Sequence, residues 1–190
     1  MLEVQNQYQM TSKVSPKEET RRIMENVHTK IKFSRIWSMP SRWTFTIKSI
    51  KELLAEEATS GLWADPFAGY NSPAGLTNDL DPESPSKSHQ DALEWLQSLR
   101  GHSVDGVLYD PPYSITQARM YGKKEYASMM YWANCKTEIA RIVKTGGKVI
   151  CFGWNTNGIG INREFRLDRI LIVAHGGSKN DTLVTVETKL

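Results

Sequence analysis

The chain has 190 residues, a length typical of one domain and sufficient to bury a sizeable hydrophobic core. Apolar residues make up 39% and charged residues 24%, as in ordinary soluble proteins, and no apolar run approaches the roughly 20 residues that cross a bilayer. The net charge of +3 is too small to indicate a nucleic-acid partner by itself. Cys135 and Cys151 form no CxxC pair and the N-terminus lacks a secretory-signal pattern, so we expect a cytoplasmic protein without a membrane partner.

The beginning of the chain is predicted to be a helical extension, residues 1–35, attached to a single domain at residues 36–190. The segment Ser15 to Ile31 opens with Ser-Pro and carries glutamates in its first turn, a pattern typical of a helix. The next stretch, RWTFTIKSIKELLAEEAT from Arg42 to Thr59, passes from a β-rich opening into a helical run.

Beyond residue 60, short apolar segments alternate with loops, which predicts an open α/β sheet. The seven predicted strands are GLWADPF, AGLTNDL, SKSHQ, DGVLYD, GKVICFGW, RLDRILIVAHGG and DTLVTVETKL. The intervals after the first two strands are too short for full helices. We therefore expect a mostly parallel, Rossmann-like sheet that ends in an antiparallel hairpin and has shortened helices after strands 1 and 2.

Four aspartates follow the first four predicted strands: Asp65, Asp79, Asp91 and Asp110. Ligands of open α/β sheets bind beyond the carboxyl ends of the strands, so these acids are candidate site residues. The chain has neither a GxGxxG motif nor the lysine of a phosphate-binding P-loop, which disfavours a dinucleotide or nucleoside triphosphate. No His/Cys cluster indicates a metal.

Four motifs together resemble those of the amino-methyltransferases that modify adenine N6 or cytosine N4 in DNA. They are DPFAG, TNDLDP, HQDALEWL and VDGVLYDPPY, in that order between residues 65 and 113. The preceding TFTIKSIKELL is similar to the family's segment before DPFxG, with Ser49 in place of a proline. The resemblance implies a class I methyltransferase fold, S-adenosylmethionine as the methyl donor, and duplex DNA with a flipped adenine as the partner.

The resemblance also assigns roles to individual residues. Asp79 would hold the ribose of the donor, with capping of the turn that begins at Asp81 as its alternative role, and Asp91 would contact the donor's adenine amino group. The donor-binding residues implied by the resemblance are Thr46, Lys48, Asp65, Phe67, Gly69, Asn71, Ser72, Asp79, Asp91 and Ala92. The catalytic motif is Asp110, Pro111, Pro112 and Tyr113.

The residues of the DPPY motif suit methylation of an exocyclic amine. Such an amine is a poor nucleophile because its lone pair is delocalised into the ring. The Asp110 carboxylate and the Pro111 carbonyl can accept hydrogen bonds from its two N–H groups and localise that lone pair, while the two prolines hold the acceptors in place. Tyr113 offers a face on which a flipped base stacks, worth about 1–3 kcal/mol.

Two loops are the candidate nucleic-acid contacts, since the chain carries no separate target-recognition region. The predicted contact residues are Arg119, Lys123, Lys124, Trp154 and Asn155. Solvated loop charge is an equal alternative for the basic residues, and turn formation is an alternative for Asn155. The tight spacing would leave one face of the sheet uncovered, so we also expect a homodimer.

The leading interpretation is a site-specific DNA methyltransferase that transfers a methyl group to adenine N6. An enzyme acting on cytosine N4 or on RNA stays open. A third alternative is an inactive methyltransferase-like subunit that binds nucleic acid while a separate partner supplies specificity.

Overall fold

The computed structural model describes residues 30–112, 129–177 and 179–190, and the elements below belong to the compact unit Ile31–Leu190. Its strands are β1 (Lys32–Trp37), β2 (Trp63–Asp65), β3 (Leu76–Thr77), β4 (Val104–Tyr109), β5 (Val143–Gly153), β6 (Phe165–Ala174) and β7 (Thr182–Lys189). Its helices are α1 (Lys48–Glu57), α2 (Ala92–Ser98) and α3 (Met129–Ile142), with 3₁₀ turns at Thr44–Thr46 and Ile161–Arg163. No helix in the described ranges is long and apolar enough to span a membrane.

All seven strands belong to one sheet in the order β1-β6-β7-β5-β4-β2-β3. Strand β7 is antiparallel to both of its neighbours, and every other neighbouring pair is parallel. The predicted fold class is therefore confirmed. Because β2, β3 and β4 run in the same direction, the residues that follow them emerge at one edge of the sheet.

The predicted strand at SKSHQ is wrong. Ser88 makes only an isolated bridge to Asn78, and the amide side chain of Asn78 bonds the backbone N and O of Gln90. That side chain takes the place of a strand ladder.

The seventh strand is instead β1, which the sequence did not predict. It pairs in parallel with β6 and includes residues 32–35 of the predicted extension. Its sequence KFSRIW is almost entirely exposed, so the alternation typical of a half-buried strand is missing. The predicted β opening of RWTFT is also wrong, because Thr44–Thr46 form a 3₁₀ turn whose Thr46 amide bonds the Trp43 carbonyl.

The short spacing after β2 and β3 has the predicted consequence. Residues 66–75 and 78–91, all within the described ranges, contain turns and no helix.

Two apolar clusters form the core on the two faces of the sheet. One contains buried residues of α2, α3, β4 and β5, including Leu96, Val107, Ile139 and Ile142, and the other contains residues of α1, β6 and β7, including Ile50, Leu53, Leu171 and Val184.

A charged network joins the end of α1 to the sheet. The buried guanidinium of Arg169, on β6, donates to Glu56 (2.5 Å) and Glu57 (3.1 Å). Lys148 of β5 donates to Glu57 (2.8 Å), and Lys32 of β1 donates to Glu56 (3.3 Å). Hydrogen bonds from Lys148 and Arg169 outweigh burial and hold the pKa of Glu57 below its usual value.

Replacing Arg169 tests this network. Arg169→Met removes the buried partner of Glu57 and should lower the free energy of unfolding by about 1.5–3 kcal/mol at pH 7, measured by urea denaturation. The loss should shrink as the pH falls below about 4.5, because a carboxyl with a lowered pKa loses its contribution on protonation. The control is Arg166→Met on the same strand, whose partly exposed pair with Asp168 should contribute less than about 1 kcal/mol. Equal losses in the two variants would contradict the role of Arg169.

Candidate active site

Asp65 closes β2 and holds the DPFAG loop together. The side chain is fully buried, with one carboxylate oxygen accepting from the Phe67 amide (2.9 Å) and the other from the Ser72 hydroxyl (2.6 Å). Asp65 and Ser72 therefore bond to each other and shape the loop from behind.

Gly69 is the point at which this loop turns toward open space. Its φ is +51°, in the left-handed region that favours glycine, and a Cβ built there would meet no atom of the described residues within 4 Å. The Gly69 amide donates to Asp79 (2.8 Å), so the loop is tied to the end of β3. The exposed inner side of this turn leaves room for a ligand to approach the backbone.

Asp79 performs the turn-capping role and also faces the candidate site. Its second carboxylate oxygen accepts from the Asp81 amide (2.9 Å), as the turn alternative predicts, and the residue lines the cavity beside the loop. An ionised carboxylate has about four acceptor positions, so two backbone bonds leave capacity for ligand hydroxyls.

One cavity lies between these loops at the carboxyl edge of the sheet. The predicted site residues that line it are Phe67, Gly69, Asn71, Asp79, Ala92, Asp110, Pro111 and Pro112. The sequence analysis missed its other lining residues: Arg42, Trp43, Thr44, Phe45, Pro66, Ala68, Tyr70, Leu80 and Gln90. Residues of the predicted donor motif and of the predicted catalytic motif thus line one cavity.

Five predicted donor residues lie away from the cavity lining: Thr46, Lys48, Asp65, Ser72 and Asp91, of which Asp65 and Ser72 bond to each other behind the loop. Thr46 donates its hydroxyl to the Trp43 carbonyl (2.8 Å) inside the 3₁₀ turn. The Lys48 side chain is 87% exposed. Asp91 caps α2 by accepting from the Leu93 amide (3.0 Å), and it sits between the cavity residues Gln90 and Ala92.

Thr44 is the missed residue with the clearest chemical role, because its hydroxyl donates to the Asp110 carboxylate. The motif TFT places two threonines two residues apart, and an extended strand would present both to the same side. The 3₁₀ turn separates them, so that Thr44 lines the cavity and Thr46 bonds within the turn.

An aromatic cluster at the cavity also carried no recognisable signal in the sequence. The rings of Trp43 and Tyr70 are 5.2 Å apart, and the guanidinium of Arg42 lies 4.3 Å from the centre of the Trp43 ring. Tyr70 donates its hydroxyl to Asp81 (3.0 Å). The contacts of Tyr70 with Trp43 and Asp81 join residues that are far apart in the chain, which spacing alone does not reveal.

Two acids at or beside the cavity, Asp65 and Asp110, have shifted pKa values. Burial raises the pKa of Asp110 to about 7, although the Thr44 hydrogen bond lowers it. Burial also raises the pKa of Asp65 to about 7, with smaller contributions from the charges of Asp110 and Asp79. A cationic ligand in this cavity would favour the ionised forms of these carboxyls.

A second cavity lies on the other side of the DPPY segment. Its lining residues are Tyr109, Pro111, Pro112, Trp132, Lys136, Cys151, Phe152, Gly153, Trp154, Asn155 and Gly158. Pro111 and Pro112 line both cavities and therefore form a shared wall. Of the predicted nucleic-acid contacts, Trp154 is 47% exposed here, and Asn155 accepts from the Asn157 amide (3.0 Å), the turn role expected as its alternative.

The remaining predicted site residues lie outside the described residues. They are the catalytic candidate Tyr113 and the basic candidates Arg119, Lys123 and Lys124.

The strand order, the single antiparallel strand and the loops at the carboxyl ends of β2, β3 and β4 define a Rossmann-like methyltransferase fold. The structure is similar to TrmN from Thermus thermophilus, with a TM-score of 0.53 and 17% identity over 76% of this chain and 49% of that one. It is also similar to the 1,6-didemethyltoxoflavin-N1-methyltransferase of Burkholderia thailandensis, whose structure contains S-adenosylhomocysteine (TM-score 0.53, 11% identity, 73% of this chain and 75% of that one). A third similar structure is YhhF of Escherichia coli, a candidate methyltransferase (TM-score 0.51, 13% identity, 80% and 90%).

No protein-family model and no curated protein matches the sequence. At these identities the structural similarities establish the fold, and this chain spans about half the length of TrmN.

The raised pKa of Asp65 predicts how stability depends on pH. A buried carboxyl whose pKa is raised contributes most below pH 4 and loses that contribution as the pH rises through about 7. Asp65→Asn can keep both loop contacts. The free energy of unfolding of the wild type minus that of the variant should therefore fall between pH 4 and pH 8 in urea titrations.

The control for this experiment has the opposite sign. Lys144 donates to Asp105 (2.7 Å) and holds its pKa below the usual value. The corresponding difference for Asp105→Asn should therefore grow as the pH rises from 3 to 5. A pH-independent difference for Asp65→Asn would contradict the assigned ionisation.

Proposed function

We propose that this protein is a methyltransferase that transfers the methyl group of S-adenosylmethionine to the N6 amine of adenine in DNA. The observation that carries the proposal is the shared wall formed by Pro111 and Pro112, with Asp110 on the first cavity. One cavity takes the donor and the other takes the base, so the acceptor groups of the DPPY segment lie between the two reactants.

The described residues fit the donor. Gly69 leaves open space at the loop turn, Phe67 and Leu80 provide apolar walls, and Asp79 retains acceptor capacity for ribose hydroxyls. The raised pKa values of Asp65 and Asp110 indicate a site that favours a positively charged ligand. When bound, the donor supplies a methyl group carried on a sulfonium sulfur. After transfer, that sulfur leaves as a neutral thioether.

The second cavity suits a flipped base. Trp132 and Trp154 provide aromatic surface for stacking, and the Tyr109 hydroxyl is buried with no hydrogen-bond partner among the residues that the structure describes. The Asp110 carboxylate and the Pro111 carbonyl accept hydrogen bonds from the two amine N–H groups and direct the nitrogen lone pair toward the methyl group. As the N–C bond forms and the C–S bond breaks, one amine proton is lost to solvent. Alignment of the two reactants then supplies much of the catalysis.

The remaining parts of the proposal rest on the sequence resemblance. Tyr113 would stack on the base, and Arg119, Lys123 and Lys124 would contact DNA phosphates. A head Asp in the PPY tetrad favours adenine over cytosine. Transfer to cytosine N4, transfer to RNA and a subunit that needs a specificity partner are alternative outcomes of a labelled-donor experiment.

The first prediction concerns transfer itself. Incubation with methyl-labelled donor and duplex DNA, followed by digestion to nucleosides, should yield N6-methyladenine. Asp110→Ala should lower kcat by about 10²–10³-fold, because it removes an acceptor that stabilises the transition state. Donor affinity, measured by calorimetry, should fall much less than kcat, because Asp110 is only one of the groups that line the donor cavity.

Other products in this assay would change the assignment. Formation of N4-methylcytosine would change the assigned target base to cytosine, and labelling of RNA alone would change the assigned substrate to RNA. Donor binding without transfer to any nucleic acid would indicate the inactive subunit, whereas full turnover by Asp110→Ala would overturn the mechanism.

The second prediction concerns pH. The ionised Asp110 carboxylate is a stronger acceptor for the amine N–H than the protonated acid, so kcat/KM should rise with pH through about 7 in the free enzyme. Asp110→Asn keeps an acceptor oxygen that does not titrate. Its lower activity should therefore show a weaker dependence on pH, with the titration of Asp65, whose pKa is also raised to about 7, accounting for what remains. Identical pH profiles for the two enzymes would contradict the role of Asp110.

We also propose that the protein is a homodimer. Strand β1 lies at the end of the sheet formed by the described residues, and the side chains of Phe33, Trp37 and Met39 in and just after it are 61–69% exposed. An exposed edge strand with large apolar side chains favours association.

Size exclusion with light scattering should give twice the chain mass of 21.6 kDa. The double variant Phe33→Lys, Trp37→Lys should give the monomer mass. A clean monomer in the wild type over the micromolar range would contradict the dimer.

A further inference from the structure

Glu187 is a buried acid that the proposed transfer does not use. It lies on β7, paired with Val149 of β5 and Leu167 of β6, and only 2% of it is exposed. Its carboxylate accepts from the amides of Ile159 (2.5 Å) and Gly160 (3.0 Å). A carboxylate in the interior is costly unless its oxygens are bonded, so these two contacts are what make its position tolerable.

The loop that Glu187 holds is shaped around the carboxylate. Gly158 and Gly160 have φ values of +50° and +96°, and this backbone turn directs the amides of Ile159 and Gly160 toward the acid. A Cβ at Gly158 would collide with the Glu187 carboxylate. The sequence GIG at positions 158–160 is therefore matched to a side chain 27–29 positions further along the chain.

The same loop forms part of the second cavity. It leaves the end of β5 and contributes Trp154, Asn155 and Gly158 to the lining. None of residues 154–160, all of which the structure describes, lines the first cavity. The carboxylate therefore fixes the backbone on the side of the DPPY wall that is opposite the donor.

We propose that Glu187 is a positioning residue for the acceptor base, which acts by anchoring residues 154–160 through the amides of Ile159 and Gly160. The proposal rests on the proposed function of the second cavity. It assigns to a β7 residue the task of holding Trp154 and Asn155 where they meet the base.

Charges around Glu187 are consistent with an anchoring role. Burial raises the pKa of its carboxyl, while the two amide bonds lower it, with a smaller lowering by the charge of Lys136. Lys136 also lines the second cavity. Asp168 nearby acts in the opposite direction and raises the pKa.

The first test compares kinetic constants with donor affinity. Glu187→Ala should raise KM for duplex DNA at least tenfold, while the dissociation constant for S-adenosylmethionine changes less than twofold, because the donor cavity excludes the anchored loop. Glu187→Gln keeps one good acceptor oxygen for two amides and should give an intermediate KM. Gly158→Ala should reproduce the rise in KM, because it displaces the loop while the acid is kept.

The matched control is Lys189→Met, two residues further along the same strand. The Lys189 amine is buried and donates to the carbonyls of Ala140 (2.6 Å) and Val143 (2.9 Å). This variant should lower the melting temperature without changing KM for DNA. A rise in KM for Lys189→Met equal to that of Glu187→Ala would mean that Glu187 contributes only to overall stability, and it would overturn the proposal.

A second readout separates this proposal from the proposed function. Hydrogen exchange of the full chain should show at least tenfold faster exchange at the amides of Ile159 and Gly160 in Glu187→Ala, whether or not the protein is active. Unchanged exchange would overturn the anchor. If the anchor holds and the wild type transfers no methyl group to nucleic acid, the proposed function fails and the positioning role fails with it. A wild type active on DNA together with an unchanged KM in Glu187→Ala would overturn the positioning role alone.

Discussion

Carboxylates that accept backbone N–H bonds hold the loops around both cavities. The described segments after β2 and β3 contain no full helices, so the amides of these connections need other acceptors. Asp65 accepts from Phe67, Asp79 accepts from Gly69, and Glu187 accepts from Ile159. Such bonds need only one residue on each side, whereas even α2, the shortest α-helix among the described residues, takes seven. A short sequence can therefore keep a cavity at the carboxyl edge of its sheet.

The same choice has an electrostatic consequence. Acids that hold loops through backbone hydrogen bonds bring carboxyls into the interior, and burial raises the pKa values of Asp65 and of the nearby Asp110 to about 7. A cationic donor would relieve this cost, so the groups that shape the cavity also select the charge of its ligand. Structural and binding roles are therefore not separable for an acid such as Asp79, which caps a turn and lines the cavity at once.

Sequence patterns predicted the parts of the fold that depend on local signals. The buried run before Asp110 and the apolar runs of β5 to β7 are strands, and the short intervals after β2 and β3 contain no helix within the described ranges. The predicted strand at SKSHQ failed because the Asn78 side chain replaces the ladder, a long-range contact. Strand β1 was not predicted because an exposed edge strand shows no alternation of apolar and polar residues. Thr44 was missed because a 3₁₀ turn, and not a strand, determines which threonine faces Asp110.

The acceptor side was harder to predict because its determinants are distant in sequence. Glu187 looks like one polar residue in an alternating strand, and GIG at 158–160 looks like an ordinary glycine loop. Only the pairing of β7 with β5 brings the carboxylate under the amides that follow β5. The residues predicted to bind the donor are easier to recognise from motifs, because they lie in contiguous segments such as DPFAG. Under the proposed function, positioning of the base depends on how residues 154–160 are held, and β7 supplies the carboxylate that holds them.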